Sequence, residues 1–290
     1  MKKVAVITDT VSELTKELAD EYNIKLIPLT IIIDGKAYPE TELDREWYYE
    51  QLPKWKAADK VPTSSSASIG QFLEAYRELS QQVEAILCIT YSSKFGMMFN
   101  TAMQAKKMAE EELPQTAIEV IDSLTVCGAL MLVALEAARA AAAGKSLPEV
   151  VEIANKTVKK VNNVTLMDDL SLLAKGGRIH KVRPWAGSKV TNTVLVGASA
   201  ATGGEHRPVA RCKTKGQALK TLFDTVRERS GGGRLHVAIN HADALVEAEE
   251  LKEKALSQFQ CAEVFITPLY PLVTHHTGVG TRVFNWWSED

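Results

Sequence analysis

The sequence predicts an α/β protein in two parts: an N-terminal parallel-sheet α/β domain over residues 1–160 and a C-terminal α+β domain with a mixed sheet over residues 161–290. Three observations carry that expectation. Short apolar runs alternate with amphipathic patterns through the first half, the signature of strands joined by helices. The pattern changes near V-N-N-V (161–164), after which strand-like runs follow one another with a turn between two of them. The chain has 290 residues, 46% of them hydrophobic, which suits about two domains with buried cores.

In the first half, V-A-V-I (4–7), I-K-L-I-P-L-T-I-I-I (24–33), A-I-L-C-I-T (85–90) and A-I-E-V-I-D (117–122) read as strands. Most are apolar on both faces, as strands of a parallel sheet covered on both sides must be. Leu14, Leu18 and Tyr22 lie four residues apart, and Ile69, Phe72, Leu73, Tyr76 and Leu79 trace one face of a helix. The Ala-rich run from Gly128 to Gly144 contains Glu136 and Arg139 and falls short of the ~20 apolar residues a membrane span requires, so a helix inside the core is expected there. Further strands are expected at 164–168, 194–199, 207–211, 235–240 and 262–268, with A-T-G-G-E-H (201–206) as a strand-to-strand turn. Helical patterns occupy 214–229 and 243–259.

Charge and composition exclude several classes. A formal net charge of -2 without an acidic or basic block offers nothing to attract nucleic acid. The opening M-K-K-V-A-V-I-T-D ends its apolar run after four residues and does not read as a secretion signal. Cys88, Cys127, Cys212 and Cys261 are widely spaced with no C-x-x-C pair, so a cytoplasmic, reduced protein without structural disulfides or a metal site is expected. Neither G-x-x-x-x-G-K-[ST] nor a strand followed by G-x-G-x-x-G is present, and no cofactor is expected.

In open α/β sheets, ligands collect beyond the carboxyl ends of the strands, which directs attention to the junctions. After the first strand comes T-D-T-V-S-E, where Thr10-x-x-Glu13 fits a capping box. The segment K-V-P-T-S-S-S-A-S-I-G (60–70) and the pair Ser92-Ser93 supply more hydroxyls than helix caps require. Such groups serve equally as caps or as donors to a phosphate or carboxylate, and the pattern leaves both open. In L-A-K-G-G-R-I-H (173–180), Arg178 either follows a helix-ending glycine onto the surface or is carried on a turn toward a ligand or partner. In Y-P-L-V-T-H-H-T-G-V-G (270–280), adjacent histidines without a nearby carboxylate or cysteine argue against a metal, while Gly278 and Gly280 permit close approach to the backbone.

Taken in order, these junctions resemble the DegV family of bacterial fatty-acid-binding proteins, which includes the FakB subunit of fatty-acid kinase. The resemblance spans nearly the whole chain. The family's T-D-S-T appears as T-D-T-V, and its P-T-[ST]-S-Q-P-S-P-G-E-F as P-T-S-S-S-A-S-I-G-Q-F, with Pro62, Thr63, Ser65, Ser68, Gly70 and Phe72 in register. Its S-S-x-[LI]-S-G-[TS]-Y segment appears as S-S-K-F-G-M-M-F, its D-S as Asp122-Ser123, its G-G-R-I at 176–179, and its H-x-G-x-G at His276 to Gly280.

The resemblance implies a protein that holds one long-chain fatty acid, has no turnover of its own, and presents the carboxylate to a separate fatty-acid kinase; transient membrane contact is compatible with that role. It assigns the carboxylate to Thr63, Ser64, Ser93 and His276, with Arg178 and Gly278 near the carboxylate or facing the partner. Phe95, Gly96, Met97 and Met98 depart from the family's Leu/Ile-Ser-Gly-Ser/Thr, Ser66 and Ala67 from Gln-Pro, and Val279 stands where proline is common. Two other functions are weighed: a serine-dependent acyl hydrolase or transferase with Ser93 as nucleophile and His276 as base, and a lipid-responsive regulatory sensor.

Overall fold

The computed structural model describes residues 2–178 and 193–289. Ile179 and His180 of the G-G-R-I-H run therefore lie outside the described residues. Four strands, β1 (Lys2–Asp9), β2 (Ile24–Ile27), β6 (Val83–Thr90) and β7 (Ala117–Asp122), form a wholly parallel sheet in the order β2-β1-β6-β7. Helices α1 (Lys16–Tyr22), α3 (Ile69–Ser80), α4 (Met98–Glu112), α5 (Cys127–Ala142) and α6 (Leu147–Lys160) accompany it. The second sheet is mixed and ordered β10-β9-β8-β13-β11-β12, from β8 (Asn162–Met167), β9 (Thr193–Gly197), β10 (Arg207–Cys212), β11 (Leu235–His241), β12 (Cys261–Pro268) and β13 (Arg282–Ser288). Among the described strands only β11 and β12 pair in parallel there. Helices α7 (Ser171–Lys175), α8 (Lys215–Ser230), α9 (Leu245–Gln258) and α10 (Pro271–Thr277) belong to this half. Among the described residues, no helix is long and apolar enough to cross a membrane.

The run 24–33, expected as one strand, is two. Pro28 has no N–H to give a ladder. The chain leaves the parallel sheet at Ile27 and re-enters as β3 (Thr30–Ile33) in a small antiparallel sheet with β4 (Lys36–Pro39) and β5 (Thr63–Ser65). Between β4 and β5 runs α2 (Arg45–Ala57), capped by Asp44, whose side chain accepts from Trp47 N. Ser68 caps α3 in a reciprocal box with Gln71. The box expected at Thr10 and Glu13 does not form: Asp9 caps the short 3-10 turn at Thr10–Ser12 instead. Thr10 donates to Glu40, and Glu13 takes the backbone N–H of Tyr270. Leu272 N donates to Glu40 Oε2 at 2.8 Å, so buried acids from the first 40 residues hold the start of α10. Burial pushes their carboxyls up, Asp9 to about 8, Glu40 to about 7 and Glu13 well above its ordinary value.

Helix α5 joins the halves, as a sequence apolar on nearly all sides, interrupted only by Glu136 and Arg139, requires. It is buried on nearly every face and packs on β1, β11 and β13. A Cβ at Gly128 would come within 2.6 Å of both Ala238 Cβ and Asn285 Nδ2, so glycine admits this close approach. The Gly128 N–H donates to Asn240 Oδ1 at 2.8 Å, a helix cap supplied from β11. From there a buried ladder crosses the mixed sheet: Asn240 Nδ2 to Thr267 Oγ1 at 2.9 Å, Asn285 Nδ2 to Asn240 Oδ1 at 2.9 Å, and Asn163 Nδ2 to Asn285 Oδ1 at 2.7 Å.

Candidate functional site

A cavity of about 580 Å³ opens beside the N-terminus of α5, beyond the carboxyl ends of β1 and β6. Its apolar wall includes Val11, Leu29, Val126, Leu272, Val273 and Val283. Its polar lining includes Ser64, Ser66, Tyr91, Arg178, His206 and His276. The volume falls within the ~300–1,000 Å³ usual for small-molecule sites, and the few polar groups in an apolar wall are what orients a ligand.

Ser64 sits at the centre of β5, paired with Ile31, and His276 in the last turn of α10. Ser64 Oγ and His276 Nε2 are 3.3 Å apart. The other ring nitrogen, His276 Nδ1, is buried without a hydrogen-bond partner among the described residues. Gly176 makes room for it, since a Cβ there would stand 2.8 Å from Nδ1. Arg178 follows Gly177, whose φ of +74 turns the chain out of α7. Its Nε donates to Phe95 O at 3.3 Å and its Nη1 to Gly176 O at 2.5 Å. It pairs with no carboxylate among the described residues.

Histidines surround this arginine. His206 Nδ1 lies 3.1 Å from Arg178 O, and because a carbonyl only accepts, that nitrogen carries the proton. The His206 ring packs on Phe95 at 4.4 Å between centroids. His275 meets Tyr48 Oη through Nδ1 at 3.1 Å and stands edge-on to His276. Burial pushes His206 and His275 down to about 4 and His276 well below its ordinary value, the Arg178 charge adding to the effect on the last two. At neutral pH all three imidazoles are therefore uncharged, and Arg178 is the cationic side chain of the described cavity wall. Such a site offers hydroxyl, imidazole and one positive charge to an anionic head, and hydrocarbon contact to whatever follows it.

The family model described as "Uncharacterised protein, DegV family" matches residues 3–286. The chain belongs to the DegV family. A DegV domain-containing protein of Clostridium acetobutylicum is 29% identical over 288 residues, covering 99% of this chain and 98% of that one. A DegV domain-containing protein of Halalkalibacterium halodurans is 28% identical over the full length of both. Among solved structures, DegV of Bacillus subtilis, described as a fatty acid binding protein, superposes with a TM-score of 0.86 at 24% identity over 100% of both chains. A DegV family protein of Thermus thermophilus, described by its fatty acid binding, gives 0.89 at 21% identity over 99% of this chain and 100% of that one. One from Eubacterium eligens loaded with heptadecanoic acid gives 0.85 at 19% identity over the same shares.

The DegV motifs distribute unevenly around the cavity. Ser64, His276 and Arg178 line it together. Thr63 is exposed and is not among the lining residues, although its strand neighbours Ser64 and Ser65 are. Ser93 is half-buried, with its backbone N–H held by both carboxylate oxygens of Asp122 at 3.2 and 3.3 Å, and it too lies off the lining. Gly278 ends α10 at φ 90 and ψ 161, a conformation only glycine adopts without strain. The hydroxyl facing His276 is thus Ser64 rather than Ser93, and among the described residues no third group bonds Nδ1 to orient that imidazole as a base.

His206 and Tyr91 were not singled out by sequence, and Ser66 only as one of the surplus hydroxyls and a departure from the family pattern. Met97 N donates to Ser66 Oγ at 3.3 Å, so the 66 and 97 departures from the DegV pattern touch each other. Any side chain at Gly96 would collide with the Tyr91 hydroxyl, which accounts for glycine there. Elsewhere, Glu136, His236 and Glu263 bring ligand-type atoms within 4.8 Å of one another. Arg139 already bonds Glu136 and Glu263 at 2.7 and 2.8 Å, and Glu289 takes the second nitrogen of His236 at 3.0 Å. The cluster is an ion network centred on an arginine.

Proposed function

We propose that this protein binds one long-chain fatty acid in the cavity, carboxylate toward Ser64, His276 and Arg178, and presents it to a partner fatty-acid kinase that forms the acyl-phosphate. The observation that carries the reading is an apolar cavity whose polar end combines a buried imidazole nitrogen with an arginine, neither of which has a carboxylate partner among the described residues. The fatty acids of the solved DegV structures support it. On this reading residues 1–160 would contribute the Ser64 loop and residues 161–290 the Arg178 and His276 loops, with Thr63, Ser93 and Gly278 supporting the head group from outside the wall.

The energetics suit a carrier. Each buried methylene contributes ~0.8 kcal/mol, so a ~14-methylene tail contributes about 11 kcal/mol before ordering costs. The head group then needs only to avoid an uncompensated desolvation penalty. Neutral imidazole, hydroxyl and a single guanidinium achieve that while leaving carboxylate oxygen lone pairs for a kinase.

Lipid extraction from protein purified under native conditions, followed by mass spectrometry, tests binding: about one fatty acid per chain is expected. A reproducibly empty cavity that added fatty acid does not fill contradicts the reading. Presentation is tested with Arg178→Ala in a reconstituted kinase assay, where phosphorylation should fall far more than lipid binding; equal losses would remove the presenting role.

A further inference from the structure

Resting on the fatty-acid reading, we infer that His206 is a positioning residue that aims the Arg178 guanidinium at the carboxylate end of the cavity. One imidazole touches both the arginine's own backbone and Phe95, one of the two residues that hold its side chain. Its Nδ1–H bonds the Arg178 carbonyl at 3.1 Å, and its ring lies 4.4 Å from that of Phe95, whose own carbonyl receives Arg178 Nε. His206, Phe95 and Arg178 all line the cavity. The anchoring matters because, among the described residues, Arg178 has only neutral carbonyl acceptors for its side chain, Phe95 O and Gly176 O, and a long side chain so held is free to swing. Its backbone leaves a helix of five residues through a left-handed glycine, with a single long bond of 3.3 Å from Arg178 N to Leu173 O. His206 supplies the missing constraint from the turn before β10. It acts through geometry rather than charge, and the carboxylate meets Arg178, not His206.

The test compares two probes on the delipidated full-length protein, palmitic acid and hexadecanol, each measured by displacement of a fluorescent fatty acid. The ratio of their affinities isolates the reading of the carboxylate, since any change in tail contacts cancels. Arg178→Ala should lower the acid-to-alcohol ratio roughly 10- to 100-fold, the range for a hydrogen bond to a charged group. His206→Phe, which keeps a ring on Phe95 but removes the donor, and His206→Ala should each lower it about tenfold. His206→Asn, whose amide can occupy the Nδ1 position, should restore it to within about twofold of the wild-type value. Arg178→Ala combined with His206→Phe should fall no further than Arg178→Ala alone. A wild-type ratio in both His206→Phe and His206→Ala, an unchanged ratio in Arg178→Ala, or additive losses in the double variant would each overturn the inference. Hexadecanol binding shows in every variant that the cavity is intact. Failure of the wild-type protein to bind either probe would instead overturn the fatty-acid reading beneath it.

Discussion

The asparagine ladder and the polar end of the cavity lie on either side of the same helix terminus, yet they handle buried polar groups in opposite ways. Asn163, Asn240 and Asn285 are fully buried, and each side-chain amide finds partners within the fold, including the capped N–H of Gly128. At the cavity, His276 Nδ1 has no partner and Arg178 has no counter-charge among the described residues. A satisfied network rigidifies a core, whereas an unsatisfied one marks a place where something else is to bond. The ladder fixes α5 against the mixed sheet, and the cavity beside it inherits that rigidity. The comparison also says where substitutions should cost stability and where they should cost binding.

The largest effect is expected from Asn240→Ala. It orphans the Gly128 N–H and breaks the bonds to Thr267 and Asn285, and should lower stability by roughly 3 kcal/mol as read from the urea midpoint. Arg178→Ala should change the same midpoint of the delipidated protein by less than ~1 kcal/mol. Similar losses from both would erase the distinction.

The ladder does not titrate, but the groups around α10 do, and they pull in opposite directions. The carboxyls of Asp9, Glu13 and Glu40 hold their protons in the folded state above the ordinary carboxylate range, so stability falls as pH rises, up to about 7 for Glu40 and about 8 for Asp9. His206 and His275, pushed down to about 4, bind fewer protons folded than unfolded, so their contribution is lost as pH falls from 6.5 toward 4. Above pH 6.5 only the carboxyls of this group still act. The unfolding free energy should therefore decline from pH 6.5 to 8 by up to ~1.4 kcal/mol per pH unit for each differential proton, and the melting temperature should fall with it. Glu40→Gln should flatten the part of that decline below about 7.

Two smaller effects sharpen the cavity side. Gly176→Ala must displace the His276 ring and should weaken palmitate binding by ~1–2 kcal/mol with a smaller change in the urea midpoint, both measured on the same preparation. Ser64→Ala should cost ~1 kcal/mol of palmitate affinity, while Thr63→Ala, outside the cavity wall, should cost less; the reverse order would move the head group from Ser64 to Thr63.

Much of the scaffold was legible in sequence because period and apolarity report burial directly. The strands at Val4–Ile7, 85–90 and 117–122, the Ile69–Leu79 helical face and the Ala-rich core helix all have neighbours close in sequence to define them. What sequence obscured was long-range partnership. The break at Pro28 was hidden within a continuous apolar run, and β13 within V-F-N-W-W, where Asn285 interrupts the pattern because it joins the ladder. Glu13 fits a local capping box by spacing but serves Tyr270, 257 residues away. At the site, the motif named Thr63 along with Ser64 and His276, and nothing local in the sequence shows that Ser64 lines the cavity while Thr63 does not. His206 was read as the end of a turn, and nothing local shows that its ring reaches Phe95 and Arg178.

The central claim is the orientation of a fatty acid in this cavity, and a crystal structure of the full-length protein with palmitate tests it most directly. The account predicts carboxylate oxygens within hydrogen-bond reach of Ser64 Oγ, His276 and the Arg178 guanidinium, with the tail along Val11, Leu29 and Val273. A carboxylate at the Val11 end with methyl carbons against Arg178, or palmitate bound elsewhere with this cavity filled by side chains, would contradict it.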